Sequence, residues 1–429
     1  MFRRITILFM SFYTYCFGSI IESNNMLAKQ MLELNSSTLD DKNFVFCPYA
    51  VSQLIGAYYF SASNLIADDI LKAYKFSADN SCYPHDLKNF LSVTKEYHNN
   101  VLSSLNVAFF FERKLVNSKF VKDLQFFLDT KSELFKTSNE ANDMLNKYAK
   151  LLTKGGIEQV NVDFPEQLIY AFGNVSYFSS FWKYSPSVCS IKFNTKRGSS
   201  IVKAISFDTN KYFHKNGILY AEIPFNDERY SMFVVHHNYL EVLTMSLNEI
   251  FSNILEKDET SFGTQGIKEF ATSPQILISI DTNQQIENKT LKKTLKSIDE
   301  FSNNLSVSEN KEVGISEKYV SKKKRLRLPS FELKNCNLDL LDFLKKCKYP
   351  KSDFSRIGCL NIEESTVEML STSNIRVDEK GCVASSVSAT ILSYADTNIE
   401  NIDIDSPFMF FIIDKKFNLI LFHGIINKL

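Results

Sequence analysis

The sequence predicts an α+β fold, and three observations carry that expectation. Helical periodicity is concentrated in the first half of the chain, whereas apolar, β-prone stretches dominate from about residue 168 onward. The chain ends in two strongly apolar stretches, FMFFIID and NLILFHGII, around a short turn, which reads as a C-terminal hairpin. Helices followed by strands, in place of strict alternation, argue against a parallel βαβ sheet. The 429 residues suffice for one large domain or two to three ordinary ones, and 44% apolar and 13% aromatic content can fill a sizeable core. With one Trp and 37 Phe, that core is expected to be largely Phe, Leu and Ile.

At the N-terminus, Arg3 and Arg4 precede an apolar run of thirteen, Ile5–Phe17, and Cys16 and Gly18 are small residues at the spacing a signal peptidase reads. Residues 1–18 are therefore expected to be a secretory signal. The run is too short to cross a bilayer at about 20 residues, and no later run is longer, so the mature chain is expected to be secreted, with no membrane partner. CPYAVSQLIGAYYFSASNLIADDILKAY reads as two helices, the first opened by Pro48 and the second by Ser63-Asn64. NEANDMLNKYAKLLTKGGIEQV places Ala141, Met144, Leu145, Tyr148, Leu151 and Leu152 on one helical face, and Gly155-Gly156 stops the helix.

LIYAFGNVSYFSSFW (168–182) is aromatic and β-prone, as for a buried strand; GILYAEIPF and SMFVVHH are further strands. In KKKRLRLPSFEL, Arg325, Leu326, Arg327 and Leu328 alternate with the period of a half-buried strand. Between residues 257 and 318 the chain is rich in Ser, Thr, Asn, Glu and Lys with poor periodicity, so a polar surface insertion is expected, with room for a helix around Leu291–Phe301.

Net charge is zero, with 49 acidic and 49 basic residues, which gives no reason to expect nucleic acid as a partner. No GxSxG, HExxH, GxGxxG or Walker motif occurs, so an enzyme is not expected and no catalytic residue is assigned. Of six histidines only His236-His237 are adjacent, and neighbours in a strand point to opposite faces, so neither a metal site nor a cofactor is expected. Eight cysteines, seven after loss of the signal, with no CxxC pair, make a poor disulfide framework; even the nearest pair, Cys336 and Cys347, is not expected to bond. The basic run Lys322, Lys323, Lys324 and Arg325 reads as a solvated strand entry or, more sharply, as a glycosaminoglycan-binding patch. Sequons mark Asn35, Asn288 and Asn304 as glycan candidates, whereas Asn174 carries one inside a buried strand pattern.

One stretch fits neither loop nor core. From Gly381 to Ala395, fifteen residues contain no charge and no proline, only Gly, Cys, Val, Ala, Ser, Thr, Ile, Leu and Tyr. Surface loops usually carry charge, Pro or several Gly, and buried strands are usually more apolar.

Taken in order, these pieces resemble a serpin over nearly all of the mature chain. NFVFCPYAVSQLIGA is similar to the family's helix-B entry, with Pro48 in place. LNKYAKLLTKGGIEQV resembles the helix crossing the main sheet. GNVSYFSSFW resembles the central strand, with Asn174 and Trp182 at the family's spacing of eight. VDEKG followed by small residues resembles the reactive-loop hinge, and SPFMFFIIDKKFNLILFHGIINKL the C-terminal hairpin, including Pro407, Phe408 and Gly424.

The resemblance implies the serpin fold: three β-sheets, about eight to nine helices, an exposed reactive-centre loop and a single domain over 19–429 that carries the insertion. It also implies a secreted, monomeric suicide inhibitor of a serine protease. A segment that is first bait and then, once cut, the middle strand of a sheet must avoid buried charge, Pro and an aggregation-prone apolar edge. Small neutral residues satisfy both states. The hinge is then Glu379, Gly381, Cys382, Val383, Ala384, Ser385 and Ser386, and the bait bond lies among Tyr394, Ala395 and Asp396. No Lys or Arg occurs between Lys380 and Lys415, so a chymotrypsin-like or elastase-like target is expected. Departures occur at the sheet-opening region. Ser371 stands where the family has a His, Cys47 and Ala50 replace two Ser, Cys382-Val383 replaces Thr-Glu, and Ser330 stands where a Lys often pairs the hinge glutamate. A non-inhibitory serpin that binds or carries a ligand, and a cross-class cysteine-protease inhibitor, remain the alternatives.

Overall fold

The structure, a computed structural model, describes residues 19–34, 42–76, 79–98, 101–111, 116–153, 159–160, 162, 164–255, 322–347, 352–358, 362–382 and 399–429. The chain divides into two units, residues 1–256 with 320–429 and residues 257–319; the second lies outside the described residues.

Helix α1 covers residues 19–34. It buries Ile20, Leu27, Met31 and Leu32, and Asn24 and Asn25 hydrogen-bond the backbone of residues 418–420 in the C-terminal hairpin. Strand β1 (Phe44–Phe46) leads into α2 (Pro48–Ser61), where Pro sits at the first helical position and needs no N–H partner. Every residue of α2 except Tyr59 is buried, so this helix is apolar all round and forms the centre of the core. Then come α3 (Asn64–Ala73), α4 (Tyr83–His98), β2 (Leu102–Phe110), α5 (Ser118–Leu128), β3 (Lys131–Leu134) and α6 (Ser138–Leu152).

The α6 face differs in one place from the sequence expectation. Ala141, Leu145 and Ala149 are buried, whereas Leu151 is 66% exposed, because the sheet beneath is met along the 141-145-149 line. The helix already ends at Leu152, and Gly155-Gly156 lie outside the described residues.

The middle of the chain supplies β4 (Tyr170–Phe178), β5 (Ser180–Phe181), β6 (Ser187–Thr195), β7 (Gly198–Thr209), β8 (Tyr212–Lys215), β9 (Ile218–Pro224), β10 (Tyr230–His236), α7 (Leu240–Met245) and α8 (Leu247–Ile254). After the second unit follow β11 (Lys324–Pro329), β12 (Phe331–Asp339), α9 (Leu340–Lys346), β13 (Val367–Val377), β14 (Gly381–Cys382), β15 (Asn401–Asp403) and the hairpin β16 (Phe408–Asp414) and β17 (Leu419–Ile426).

These strands make three sheets. The main sheet runs β3-β2-β4-β13-β14-β5, with β12 paired to β13; the second runs β1-β17-β16-β10-β9-β8; the third runs β15-β11-β7-β6. Nine α-helices pack around them among the described residues, so the α+β expectation holds. The C-terminal hairpin is fully buried and lies beside β10 and β1, which explains its continuous apolar pattern. The described cysteines, Cys336 and Cys347 included, are all free thiols. Among the described residues no helix is long and apolar enough to cross a membrane, and no cluster of His, Cys, Asp and Glu could hold a metal.

Candidate functional site

The main sheet contains one anomalous seam. β4 pairs antiparallel with β2, and β13 pairs antiparallel with β12, yet β4 and β13 run parallel to each other from Tyr170–Val367 to Tyr177–Asn374. Parallel ladders are slightly weaker per residue. A strand entering between them, antiparallel to both, would replace one parallel ladder by two antiparallel ones. The first two residues of such a strand are already present. β14 pairs antiparallel with β13 through Val377–Cys382 and with β5 through Gly381–Phe181 and Cys382–Ser180.

A tight turn aims β14 into that position. Asp378 N–H donates to Gly381 O (3.1 Å) and Gly381 N–H to Asp378 O (3.2 Å). Lys380 N–H donates to Asp378 Oδ1 at 2.9 Å, and the Arg376 guanidinium holds the other carboxylate oxygen at 2.9 Å. Gly381 has φ +155°, and a Cβ there would lie 2.1 Å from Ser180 O, so only glycine fits. Cys382 is fully buried, which pushes its thiol pKa up.

Trp182, the only tryptophan, locks the turn from the other side. Its Nε1 donates to Asp378 O (2.8 Å), its backbone N–H to Lys380 O (3.2 Å), and its ring stacks on Phe225 at 4.8 Å. Glu379 is paired with Lys203 of β7 at 2.8 Å, and the hydrogen bond to that ammonium holds its pKa low. Ser330, which stands where a Lys often makes this pair in the resembling family, does not supply the cation. Ser330 instead gives its backbone N–H to Lys203 O (2.9 Å), and the lysine reaches Glu379 from the neighbouring strand. Lys203 and Glu379 are 176 residues apart, and no local sequence signal joins them.

Midway down the seam, on the face toward α2, lies a buried polar network. Asn174 Nδ2 donates to Asn106 Oδ1 (2.7 Å) and Ser104 Oγ (3.1 Å); Ser176 Oγ donates to Asn174 Oδ1 (2.8 Å). Asn106 Nδ2 continues to Gln53 Oε1 at 2.7 Å and Leu128 O at 2.8 Å. Cys47, at the start of α2, meets the Ser176 hydroxyl, and burial pushes its thiol up to about 12. Asn174 is 1% exposed, which leaves its sequon no access to a glycan. Ser371, Asn174's partner across the seam, is 2% exposed, and its Oγ has no hydrogen-bond partner among the described residues. Gln53, Ser104, Asn106, Arg376, Asp378 and Lys203 were not legible as site residues, because their role depends on which strands are neighbours.

On the third sheet, β15 pairs parallel with β11. The basic run is answered by carboxylates there. Lys324 and Lys322 reach Glu400 (3.0 and 3.9 Å), Lys323 and Arg325 reach Asp208 (3.6 and 2.9 Å), and Arg327 makes a two-pronged pair with Asp403. His236 is buried against Ser406 Oγ (2.8 Å), and its own burial lowers its pKa to about 4; His237 is half-buried. The histidines therefore do not converge. Val383, Ala384, Ser385, Ser386, Tyr394, Ala395 and Asp396 lie outside the described residues, as do Asn35, Asn288 and Asn304.

The architecture is thus a three-sheet body with a glycine-turned strand end, β14, at the mouth of the parallel β4–β13 seam. A family profile described as Serpin (serine protease inhibitor) matches residues 22–265 and 287–429. The chain belongs to the serpin family. Among solved structures it is similar to Serpin48 of the insect Tenebrio molitor (17% identity, 96% of this chain and 98% of that chain, TM-score 0.66). Human glycosylated kallistatin gives 16% identity over 96% of this chain and 98% of that chain, with a TM-score of 0.68. Native protease nexin-1, solved with heparin, gives 15% identity over 96% and 100%, with a TM-score of 0.64. At such identities the likeness shows the fold. No curated protein sequence matches the chain.

Proposed function

We propose that this chain is a secreted suicide inhibitor of a serine protease, with the bait bond among Tyr394, Ala395 and Asp396. One observation carries the proposal most: Gly381 and Cys382 already form strand rungs between β13 and β5, at the mouth of the β4–β13 seam, and the next thirteen residues contain neither charge nor Pro. The protease serine attacks the bait carbonyl, the peptide bond breaks, and the new N-terminal side leaves as an amine that takes the proton from the protease's base. The serine ester remains on the segment continuous with Gly381. Insertion of that segment drags the attached protease along the sheet before water can hydrolyse the ester, so a complex accumulates instead of turnover. A side chain with a basic charge is absent from the bait region, which supports a chymotrypsin-like or elastase-like target over a trypsin-like one.

Lys322–Arg325 matched to Asp208 and Glu400 supports anchoring of the returning chain over recognition of a polyanion such as a glycosaminoglycan. The chain is tied on either side of the proposed bait, at Cys382 and at β15, which supports cleavage preceding insertion.

Incubation with chymotrypsin, elastase, trypsin and papain, followed by denaturing gels, is expected to give an SDS-stable band with one of the first two. A band with papain alone would assign a cysteine-protease inhibitor, and cleavage without any band a non-inhibitory serpin. Secretion rests on Arg3-Arg4 and the Ile5–Phe17 run, and glycans are proposed at Asn35, Asn288 and Asn304. N-terminal sequencing of secreted protein is expected to begin near Ser19; retention of Ile5–Phe17 overturns the signal assignment.

A further inference from the structure

We infer that His423 makes this fold acid-labile: the second sheet closes around its imidazole only while the ring is neutral, and uptake of a proton there opens the sheet at the C-terminal hairpin. The inference stands apart from the inhibitory reading, because it concerns a different sheet from the one that holds the seam. His423 lies within β17, where it faces Phe46 of β1 on one side and Phe411 of β16 on the other. Its ring meets the Phe46 ring at 6.2 Å and 62°, and the Phe411 ring at 6.4 Å and 31°. Phe411 is met in turn by Phe251 of α8, edge-on at 5.5 Å. The histidine is 0% exposed, and neither Nδ1 nor Nε2 has a hydrogen-bond partner among the described residues.

A neutral imidazole carries one donor and one acceptor nitrogen, and in this aromatic cage neither is answered. That already disfavours the folded state. A charged ring would cost far more, because no carboxylate waits for it. The strands leave the ring no room to turn outward. At the next residue, Gly424, a Cβ would lie 2.4 Å from Phe44 O and 2.7 Å from the Phe410 ring, so β17 is pressed against both neighbours. The charged groups of the surrounding elements are engaged elsewhere. β1 and α2 carry none, and Asp414, the only one in β16, is paired with Arg229. α1 touches β17 through Asn24, but its Glu22 is exposed and its Lys29 reaches Glu33 and Asn248 Oδ1 of α8. Glu249 of α8 accepts from Asn216 Nδ2 at 2.8 Å and lies 4.0 Å from Lys215. Burial therefore acts on the ring alone and lowers its pKa to about 3. His236, buried in β10 of the same sheet, differs: its Nε2 meets Ser406 Oγ at 2.8 Å and lies 3.8 Å from Asp405 Oδ1, so a proton there finds a carboxylate. An open chain holds the His423 proton with a pKa of ~6.5. Because the folded value lies below that, stability is complete above about pH 6.5 and is lost as pH falls, since only the opened state accepts the proton.

The test is denaturant unfolding of the intact full-length protein from about pH 7.5 to about pH 5, above the ordinary carboxylate range. Wild type is expected to lose stability as pH falls. His423→Phe keeps an aromatic ring in the cage but cannot take a proton. Below about pH 6 its unfolding constant is expected to rise about tenfold less per pH unit than that of wild type, the weight of one proton. His423→Gln, neutral and polar, is expected to flatten the dependence by the same amount even if it is less stable throughout. In a His236→Gln background the difference between wild-type and substituted position 423 is expected to persist. A wild-type slope in both His423 variants overturns the inference. Should neither variant fold, the imidazole is followed directly in wild type by the pH dependence of its Cε1–H resonance. A ring that stays neutral in the folded protein down to about pH 5 supports the inference; one that titrates near ~6.5 with the sheet still folded overturns it.

Discussion

Cutting the chain once between Ile391 and Asp396 is expected to raise its thermal midpoint by tens of degrees. In the uncut protein β4 and β13 share a single parallel ladder of eight paired residues. Entry of residues 383–392 removes that ladder and makes two antiparallel ones, on either side of the new strand, a net gain on the order of ten backbone hydrogen bonds. At ~1 kcal/mol each, and ~2–4 °C per kcal/mol for a domain of about 150–250 residues, the shift far exceeds that of an ordinary stabilising change. Packing of the new strand under α6 acts in the same direction. Trp182 gives a second readout in the same sample. It is the only tryptophan, it hydrogen-bonds Asp378 O and it stacks on Phe225, so its fluorescence should change when the hinge straightens. A nicked protein that melts with the intact one, its tryptophan emission unchanged, would show a loop that only frays when cut and would favour a non-inhibitory serpin.

Under the proposed inhibitory mechanism, replacing Ala384 by arginine is expected to turn inhibition into simple cleavage while leaving the protein folded. Two residues beyond Cys382 on the register, residue 384 enters between Ile375 and Phe178, which are 4% and 3% exposed. No carboxylate of β4 or β13 lies on that face, since their core-facing residues are Tyr170, Phe172, Asn174, Ser176 and Phe178, and Val367, Met369, Ser371, Ser373, Ile375 and Val377. An unpaired buried charge costs about 3–5 kcal/mol. Expressed in the barrier to insertion, that slows it about a hundredfold or more, and hydrolysis of the ester then outruns translocation. If the uncut segment is an exposed bait, as proposed, the substitution is a surface one and stability of the uncut form is expected to stay within about 0.5 kcal/mol. The measurement is the number of inhibitor molecules consumed per protease inactivated, alongside the intact melting curve. Covalent complex at the wild-type ratio would contradict the register on which this prediction depends.

Much of this was legible along the chain because it depends on neighbours in sequence. Absence of charge and Pro from Gly381 to Ala395 states that the segment can be buried as a strand, whatever surrounds it. Pro48 opens α2 because its ring presets φ and its missing N–H is not needed there. Period-two alternation in Arg325–Leu328 and the unbroken apolar runs of β16 and β17 report one-sided and two-sided burial before any partner is known. The need for glycine at 381 could likewise be anticipated, though its cause, the closeness of Ser180 O, could not.

What the tertiary structure alone decided are the relations between residues far apart in sequence. Lys203 replaces the cation missing at Ser330 because β7 passes beside the hinge, a fact of strand order. Leu151 is exposed despite its periodic position, because α6 rests on the sheet along a narrower line than its apolar pattern spans. The basic run is neutralised by Asp208 and Glu400, brought to it by β7 and β15. Ser371 could be seen in the sequence only as a departure from a resembling family; that it is buried opposite Asn174, its Oγ without a hydrogen-bond partner among the described residues, required the register of the β4–β13 seam. Burial propensity is a local property of composition and period, so a single chain reveals it. Partner choice is set by the stacking of strands hundreds of residues apart, where one step of register turns every side chain to the other face.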